Sequence, residues 1–281
     1  MREIKIAKSA GFCFGVKRAV NLVYDQVGNA KKVYTYGPII HNEEVVSDLE
    51  RKGVYVLSEE DIDAMLAHDG REDDAKEIVI RSHGIGRDAY KKLEQLGFEI
   101  VDATCPFVKK IHRIVQEETE QGHCVVIVGD ENHPEVCGIR GWCVREPIIV
   151  NSVEQAQKKL DFLDKNVYIV AQTTFNDVKF KDIVEFFRNK GYNVIVYNTI
   201  CNATEERQRE ARALAADVDT MIVIGGKSSS NTQKLYEICR RECENTYYIQ
   251  TLVDLDLTVI ESAKRVGITA GASTPNYIIK E

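Results

Sequence analysis

The sequence predicts an α/β protein made of three related units, each a parallel sheet covered by helices. Three observations support this fold class. A short apolar run leads into a cysteine and then into a helical pattern at Cys13, Cys105 and Cys201. These cysteines are separated by 92 and 96 residues, which is a nearly constant period. Strand-like and helix-like segments alternate between them, as in parallel sheets with crossover helices.

The first third of the chain supports this reading segment by segment. Its predicted strands are residues 4–7, 33–36, 54–57 and 78–81. Behind Cys13, valine recurs every three or four residues, which predicts one face of a helix. A second helix reaches Lys52 and Gly53, a basic last turn followed by a typical stop. Residues 69–74 are predicted to form a charged, exposed loop, and a third helix ends at Gly97.

The other two thirds repeat this order. Their predicted strands are residues 98–104, 125–129, 168–171, 192–197, 221–224, 247–249 and 267–270. Helices with an apolar face are predicted at 108–115, from Asp177 as the N-cap residue, and at 207–216. The predicted units are residues 1–97, 98–191 and 192–281, and the N-terminal strand within 1–12 is a candidate to pack with the third unit.

Polar loops keep the same spacing as the cysteines. The first loop of each unit carries His41, His133 or Asn231, at 28, 28 and 30 residues after the cysteine. The second loop carries His83, Thr173 or Ser273, at 70, 68 and 72 residues. Every one of these loops follows a predicted strand, and ligands of parallel sheets bind at the carboxyl ends of strands. With its cysteine loop, each unit has three such loops. Three related units could therefore present nine loops to one shared centre.

Composition excludes several classes of protein. The chain has 281 residues and a net charge of −7, which argues against electrostatic binding of nucleic acid. We see no secretory signal, and the apolar runs are far shorter than the ~20 residues that a membrane span needs. We therefore expect a cytoplasmic protein with no membrane partner. In that compartment, eight cysteines are expected to be reduced thiols or metal ligands.

The three repeated cysteines differ from the other five. Each stands where a strand ends and a helix begins, and there the helix N-terminus favours a thiolate. Three thiolates without a fourth equivalent suggest an iron–sulfur cluster with one open iron, although a zinc site with three cysteines stays open. A buried core position suits Cys124, and a core or surface role is expected for Cys239 and Cys243 rather than a ligand pair. We give a zinc site at Cys137 and Cys143 little weight.

The loop side chains indicate an anionic ligand. They are compact hydrogen-bonding groups: His41, His83, His133, Thr173, Ser229, Ser230, Asn231 and Ser273. Each alone could cap a helix, but together, with helix N-termini behind them, they suit a phosphate. Glu135 is the carboxylate inside the repeated loops, and we interpret it as a proton donor rather than a solvated loop residue.

Several motifs together resemble one enzyme family. They are G-F-C-F-G-V-K-R-A-V, Y-G-P-I-I-H-N, R-S-H-G, D-A-T-C-P, H-P-E, A-Q-T-T, T-I-C-N-A-T, S-S-S-N and A-G-A-S-T-P. With these, the chain resembles the 4-hydroxy-3-methylbut-2-enyl diphosphate reductases, also called LytB or IspH, over essentially its whole length. The resemblance implies a trefoil of three α/β lobes around a central cluster, and no appended RNA-binding domain is expected.

The resemblance also implies roles for individual residues. Cys13, Cys105 and Cys201 would hold one [4Fe–4S] cluster whose fourth iron has no protein ligand. The diphosphate would be bound by His41, His83, Ser229, Ser230, Asn231 and Ser273. His133 and Thr173 would lie near the substrate hydroxyl, and Glu135 would deliver protons. The implied reaction is a two-electron reductive dehydroxylation that gives isopentenyl and dimethylallyl diphosphate, the last step of the non-mevalonate isoprenoid pathway.

Two alternative functions stay open, and the sequence does not identify the electron donor. A non-redox [4Fe–4S] hydratase of a phosphorylated substrate would work without an electron donor, and a zinc module would show no turnover. The chain carries no nicotinamide-type G-x-G-x-x-G after a strand. The resemblance therefore implies an external one-electron donor of the ferredoxin or flavodoxin type.

Overall fold

A computed structural model describes residues 3–28, 31–67, 76–159, 165–260 and 263–281. The charged loop predicted at 69–74 lies outside the described residues. Twelve strands are described: β1 Glu3–Ile6, β2 Lys32–Tyr36, β3 Val54–Leu57, β4 Lys76–Ile80, β5 Glu99–Asp102, β6 Cys124–Val128, β7 Ile148–Val150, β8 Asn166–Ala171, β9 Asn193–Val196, β10 Thr220–Ile224, β11 Thr246–Ile249 and β12 Arg265–Ala270.

Helices alternate with these strands along the chain. The described helices are α1 Phe14–Gln26, α2 Glu43–Arg51, α3 Glu59–Ala67, α4 Arg87–Gln95, α5 Pro106–Glu120, α6 Pro134–Arg140, α7 Val153–Lys158, α8 Asp177–Asn189, α9 Asn202–Asp217, α10 Ser230–Glu242 and α11 Asn276–Lys280. Two short 3₁₀ helices, Leu252–Asp254 and Leu257–Ile260, lie between β11 and β12.

The strands form three four-stranded sheets with one common strand order. These orders are β3-β2-β4-β5, β7-β6-β8-β9 and β11-β10-β12-β1. Every pairing in the three sheets is parallel. The predicted α/β class with three related parallel sheets is therefore confirmed.

The fourth strand of each sheet leads into a predicted cysteine loop. β5 pairs with β4 and precedes Cys105, β9 pairs with β8 and precedes Cys201, and β1 pairs with β12 and precedes Cys13. β5 and β9 begin just after the predicted unit borders at 97/98 and 191/192 and pair with the strands before those borders. The division into residues 1–97, 98–191 and 192–281 stays a prediction.

The chain forms two compact units, which we name by their place in the sequence. The terminal unit comprises Met1–Lys17, Ile40–Val45 and Cys201–Glu281 and contains the sheet of β10. The central unit comprises Arg18–Ile39 and Val46–Ile200 and contains the sheets of β2 and β6.

Each sheet is buried on both faces where its strands are central. In the terminal unit, Met221 and Val223 of β10 pack in one apolar cluster, whereas Ile222 and Ile224 pack in another. In the central unit, β6 alternates in the same way between two clusters. Burial on both faces explains why these strands are continuous apolar runs, which is typical of parallel sheets.

The structure corrects one predicted cap and adds several short elements. Asn176, not Asp177, is the N-cap residue of α8, because its side chain accepts a hydrogen bond from the Lys179 amide at 3.0 Å. Asp177 is instead the first helical residue and pairs with Lys181. The short elements that were not predicted are α3, α6, β7, α7, α11 and the two 3₁₀ helices. Their sequences give no strong apolar period.

Candidate active site

Every predicted site loop lies at the carboxyl end of a parallel strand. In the terminal unit, Cys13 follows β1, Asn231 follows β10 and Ser273 follows β12. In the central unit, the loops after β4, β5, β6 and β8 carry His83, Cys105, His133 and Thr173. Since parallel strands end at the same edge of their sheet, each sheet gathers its polar loops at one edge.

Glu135 and Thr173 form a buried pair in the central unit. The Glu135 side chain is 1 % exposed. Its Oε1 accepts a hydrogen bond from the Thr173 amide at 2.6 Å, and its Oε2 accepts one from Thr173 Oγ1 at 2.7 Å. Burial raises the pKa of Glu135 to about 7, although the two hydrogen bonds from Thr173 oppose the shift. This carboxyl group can therefore hold or release a proton near neutral pH.

His133 begins the helix that carries Glu135. It is the N-cap residue of α6, and its Nδ1 accepts a hydrogen bond from the Glu135 amide at 3.1 Å. In the neutral ring the proton therefore resides on Nε2. The His83 ring lies edge-on to His133, with ring centroids 5.3 Å apart. The central unit thus brings together His83, His133, Glu135 and Thr173.

The turn after His83 needs a glycine. Gly84 has a φ of +71°, and a Cβ there would lie 2.6 Å from His112 Cε1. His112 is buried and stacks on Trp142 with ring centroids 5.3 Å apart. Burial lowers the pKa of His112 to about 4, so the ring is neutral at physiological pH. This uncharged aromatic pair supports the His83 turn from behind.

Cys105 is held by the loop that carries His83. Its amide donates a hydrogen bond to the Ser82 carbonyl at 3.0 Å, and the residue caps α5, with Pro106 in the first turn as predicted. The Arg18 guanidinium donates to the carbonyls of Asp102 and Thr104, which fixes the strand end before the cysteine. Cys105 is half-buried at this helix N-terminus.

In the terminal unit, two more thiols occupy the same local position. Cys13 precedes α1, its amide donates to the Ala272 carbonyl at 3.3 Å, and its carbonyl accepts from Lys17. Cys201 caps α9, and its Sγ lies 3.1 Å from Thr204 Oγ1. Both thiols are half-buried and stand at helix N-termini.

A polar cluster surrounds the start of α10. Ser229 caps this helix by accepting a hydrogen bond from the Thr232 amide. Ser273 Oγ donates to the His41 carbonyl at 3.2 Å and lies 3.4 Å from Ser229 Oγ. A Cβ at Gly226 would lie 2.5 Å from the His41 carbonyl oxygen, so glycine lets this loop approach His41. The terminal unit thus brings together His41, Ser229 and Ser273, with Ser230 in the first turn of α10.

Asn231 places a buried amide at this cluster. Its Oδ1 accepts a hydrogen bond from the Ala272 amide at 2.9 Å. Its Nδ2 is buried and, among the described residues, has no hydrogen-bond partner. A buried donor without an acceptor is costly, so this amide fits a site that receives an oxygen-rich ligand. Together with the helix N-terminus, it suits a phosphate.

The other five cysteines differ in burial. Cys239 and Cys243 are buried in the core of the terminal unit. Cys124 is half-buried rather than buried as expected, because it is the first residue of β6. Cys143 is half-buried, Cys137 is exposed, and the eight cysteines form no disulfide among the described residues. Sequence reasoning missed Arg207 and His112, because both lie inside helices rather than in the repeated loops.

The donor set of the three repeated cysteines fits an iron–sulfur group. All three are half-buried thiols at helix N-termini, and cysteine sulfurs are the usual protein ligands of such clusters. Within the part of the chain that the structure describes, no helix is long and apolar enough to span a bilayer.

The fold and the candidate site define the class of protein. It is an α/β protein with three parallel sheets, and the strand ends present thiols and compact polar groups. The family model for the LytB protein matches residues 4–281. The 4-hydroxy-3-methylbut-2-enyl diphosphate reductase of Caldanaerobacter subterraneus subsp. tengcongensis is 50 % identical over 281 residues, covering 99 % of this chain and 94 % of that relative.

Two solved structures are also similar. One is (E)-4-hydroxy-3-methyl-but-2-enyl diphosphate reductase, the terminal enzyme of the non-mevalonate pathway, with 43 % identity and a TM-score of 0.68 over 100 % of this chain and 97 % of that one. The other, from Plasmodium falciparum, is E-1-hydroxy-2-methyl-but-2-enyl-4-diphosphate reductase, with 28 % identity and a TM-score of 0.89 over 99 % and 86 %. The chain belongs to the LytB protein family.

Proposed function

We infer that this chain catalyses the reaction for which its relatives are named, the reduction of 4-hydroxy-3-methylbut-2-enyl diphosphate. The substrate takes up two electrons and two protons, loses its C4 hydroxyl as water, and gives isopentenyl or dimethylallyl diphosphate. The observation that carries this proposal is the Glu135–Thr173 pair, a buried carboxyl group with a pKa of about 7. A leaving hydroxyl needs such a proton donor.

The terminal unit supplies the groups that we assign to the diphosphate. The unpartnered Asn231 amide, the hydroxyls of Ser229 and Ser273, and the N-terminus of α10 all favour phosphate oxygens. We also assign His41 and Ser230 to this end of the substrate, and from the central unit His83. Binding energy from the diphosphate fixes the position of the distant C4 hydroxyl, which lowers the barrier at the reacting carbon.

The central unit supplies the groups that we assign to the hydroxyl end. Glu135 holds the proton that leaves with the hydroxyl, and Thr173 orients this carboxyl group through its amide and its hydroxyl. His133 fixes the start of the helix that carries Glu135 and can donate a hydrogen bond from Nε2.

We assign Cys13, Cys105 and Cys201 as the ligands of one [4Fe–4S] cluster. When bound, it would supply electrons singly and offer one iron without a protein ligand as a Lewis acid for the C4 oxygen. An external carrier of the ferredoxin or flavodoxin type is the proposed donor. We place the protein in the cytoplasm, where a reducing environment would keep the cluster thiols available.

An anaerobic assay tests this function. Protein reconstituted with iron and sulfide is incubated with the substrate, with or without dithionite and methyl viologen as the one-electron donor. We expect loss of substrate and formation of both diphosphate products in the presence of the donor alone. The relatives' names all specify a reductase, so the hydratase alternative has no support among them. Conversion without a donor, or no conversion with it, would refute the assignment.

A further inference from the structure

Helix α9 connects the surroundings of two proposed cluster ligands. It begins at Cys201, and its buried face carries Thr204, Arg207 and Ala211, one turn apart from each other. Thr204 contacts the Cys201 thiol, as described above. The next turn after Thr204 therefore places an arginine, rather than an apolar residue, in the interior of the terminal unit.

Arg207 links this helix to the strand end and loop that accept a hydrogen bond from the Cys13 amide. Its side chain is 3 % exposed, and Nη1 donates a hydrogen bond to the Ala270 carbonyl at 2.7 Å. Two residues further along, the Ala272 carbonyl accepts the hydrogen bond from the Cys13 amide. One buried guanidinium thus connects the helix of Cys201 with the strand end that positions Cys13.

Two carboxylates on α9, Glu206 and Glu210, also favour the charged form of Arg207, but each does so less than the thiols of Cys13 and Cys201. Glu210, one turn further along α9, accepts hydrogen bonds from the amides of Lys8 and Ser9 at 2.7 and 2.8 Å, and from the Ser9 hydroxyl. Burial lowers the pKa of Arg207, and the thiols of Cys13 and Cys201 oppose that shift more than Glu210 does. A buried cation needs an anionic neighbour, and an anionic metal group held by these two thiols would provide it.

We propose that Arg207 is a positioning residue whose fixed positive charge compensates the anionic metal group at Cys13 and Cys201 and raises its reduction potential. The inference rests on the proposed function, since it assumes that these thiols hold an iron–sulfur cluster. Reduction adds one electron, taken from the external donor, to a group that is already negative. A nearby cation stabilises the reduced state more than the oxidised state, because its attraction grows with that charge.

The test compares three variants of the full-length, anaerobically reconstituted protein. Arg207→Gln removes the charge and keeps a polar, hydrogen-bonding side chain. Arg207→Lys keeps the charge without the planar fork. Arg209→Gln is the matched control, because Arg209 lies on the same helix but is exposed. The readouts are iron and sulfide per chain, and the midpoint potential from an EPR-monitored redox titration.

For Arg207→Gln we expect an equilibrium constant for one-electron reduction that is at least tenfold smaller, which is a shift of about 59 mV to lower potential. The midpoint potential of Arg207→Lys should lie closer to that of the wild type, and the midpoint potential of Arg209→Gln should equal the wild-type value. If Arg207→Gln binds no cluster, retention of cluster and potential by Arg207→Lys still supports the charge requirement. An unchanged midpoint potential in Arg207→Gln, or loss of the cluster from both Arg207 variants, would overturn the proposed role of Arg207. Failure of the wild type itself to bind a cluster would instead refute the proposed function.

Discussion

Glu135→Gln is expected to lower turnover while making the protein more stable at alkaline pH. The substitution replaces the buried carboxyl group with an amide of the same shape. The amide oxygen can still accept from the Thr173 amide, and the Thr173 hydroxyl can accept from the new NH₂ group. The folded structure should therefore persist, whereas the proton donor is lost.

The magnitude follows from the pKa of this group. Burial raises it from 4.5 to about 7, so ionised Glu135 is disfavoured in the folded state. A raised pKa stabilises the fold below pH 4.5, and this contribution is lost as the pH rises through 7. The loss amounts to about 3 kcal/mol between pH 4.5 and pH 8. Gln does not titrate, so the variant should escape this loss. Its turnover should fall by about 10² to 10⁴-fold.

Urea unfolding at several pH values measures the first effect, and the anaerobic assay measures the second. Glu131→Gln is the control, because Glu131 is an exposed carboxylate four residues earlier in the chain. We expect the stability difference between Glu135→Gln and the wild type to grow from pH 5 to pH 8, and the control to show no such growth. A difference that does not change with pH would refute the buried, raised-pKa carboxyl group. Wild-type turnover in Glu135→Gln would remove Glu135 from the mechanism.

Three further predictions test the surroundings. Gly84→Ala should destabilise the protein by about 1–3 kcal/mol more than Gly97→Ala in urea unfolding, because both glycines have positive φ but the first alone would contact His112; equal losses would contradict the close contact. Asn231→Asp keeps the acceptor for the Ala272 amide but places a carboxylate where the unpartnered donor lies, so KM for the substrate should rise at least about tenfold; an unchanged KM would remove Asn231 from diphosphate binding. Asn176→Ala should cost about 1 kcal/mol of unfolding free energy through loss of the α8 cap, and no loss would contradict that cap.

Much of the fold was predictable because the chain repeats itself. The central strands are buried on both faces, so they are apolar runs that differ clearly from the amphipathic helices around them. The glycine at residue 53, at a φ of +84°, marks the helix end that the sequence suggested. By contrast, β7 has three residues and α7 has six. Segments this short do not show a strand or helix periodicity in the sequence.

The site was predictable where its residues occupy repeated loops. The spacing of the loops placed Glu135 and Thr173 at strand ends, but their mutual hydrogen bonds depend on how two loops of one sheet meet. Arg207 could not be found in this way, because an arginine within a helix is usually solvent-exposed. The cap at Asn176 was misplaced by one residue, since Asn and Asp are about equally good caps and adjacent here.

The most direct test of the account is the metal and sulfide content of single cysteine variants after anaerobic reconstitution. Cys13→Ser, Cys105→Ser and Cys201→Ser are compared with Cys239→Ser, which alters a thiol buried in the core away from the strand ends. We predict that each of the first three loses or destabilises the cluster, whereas Cys239→Ser keeps wild-type iron, sulfide and absorption near 400 nm. Unchanged iron and sulfide in any of the first three would contradict the claim that these three thiols hold one cluster.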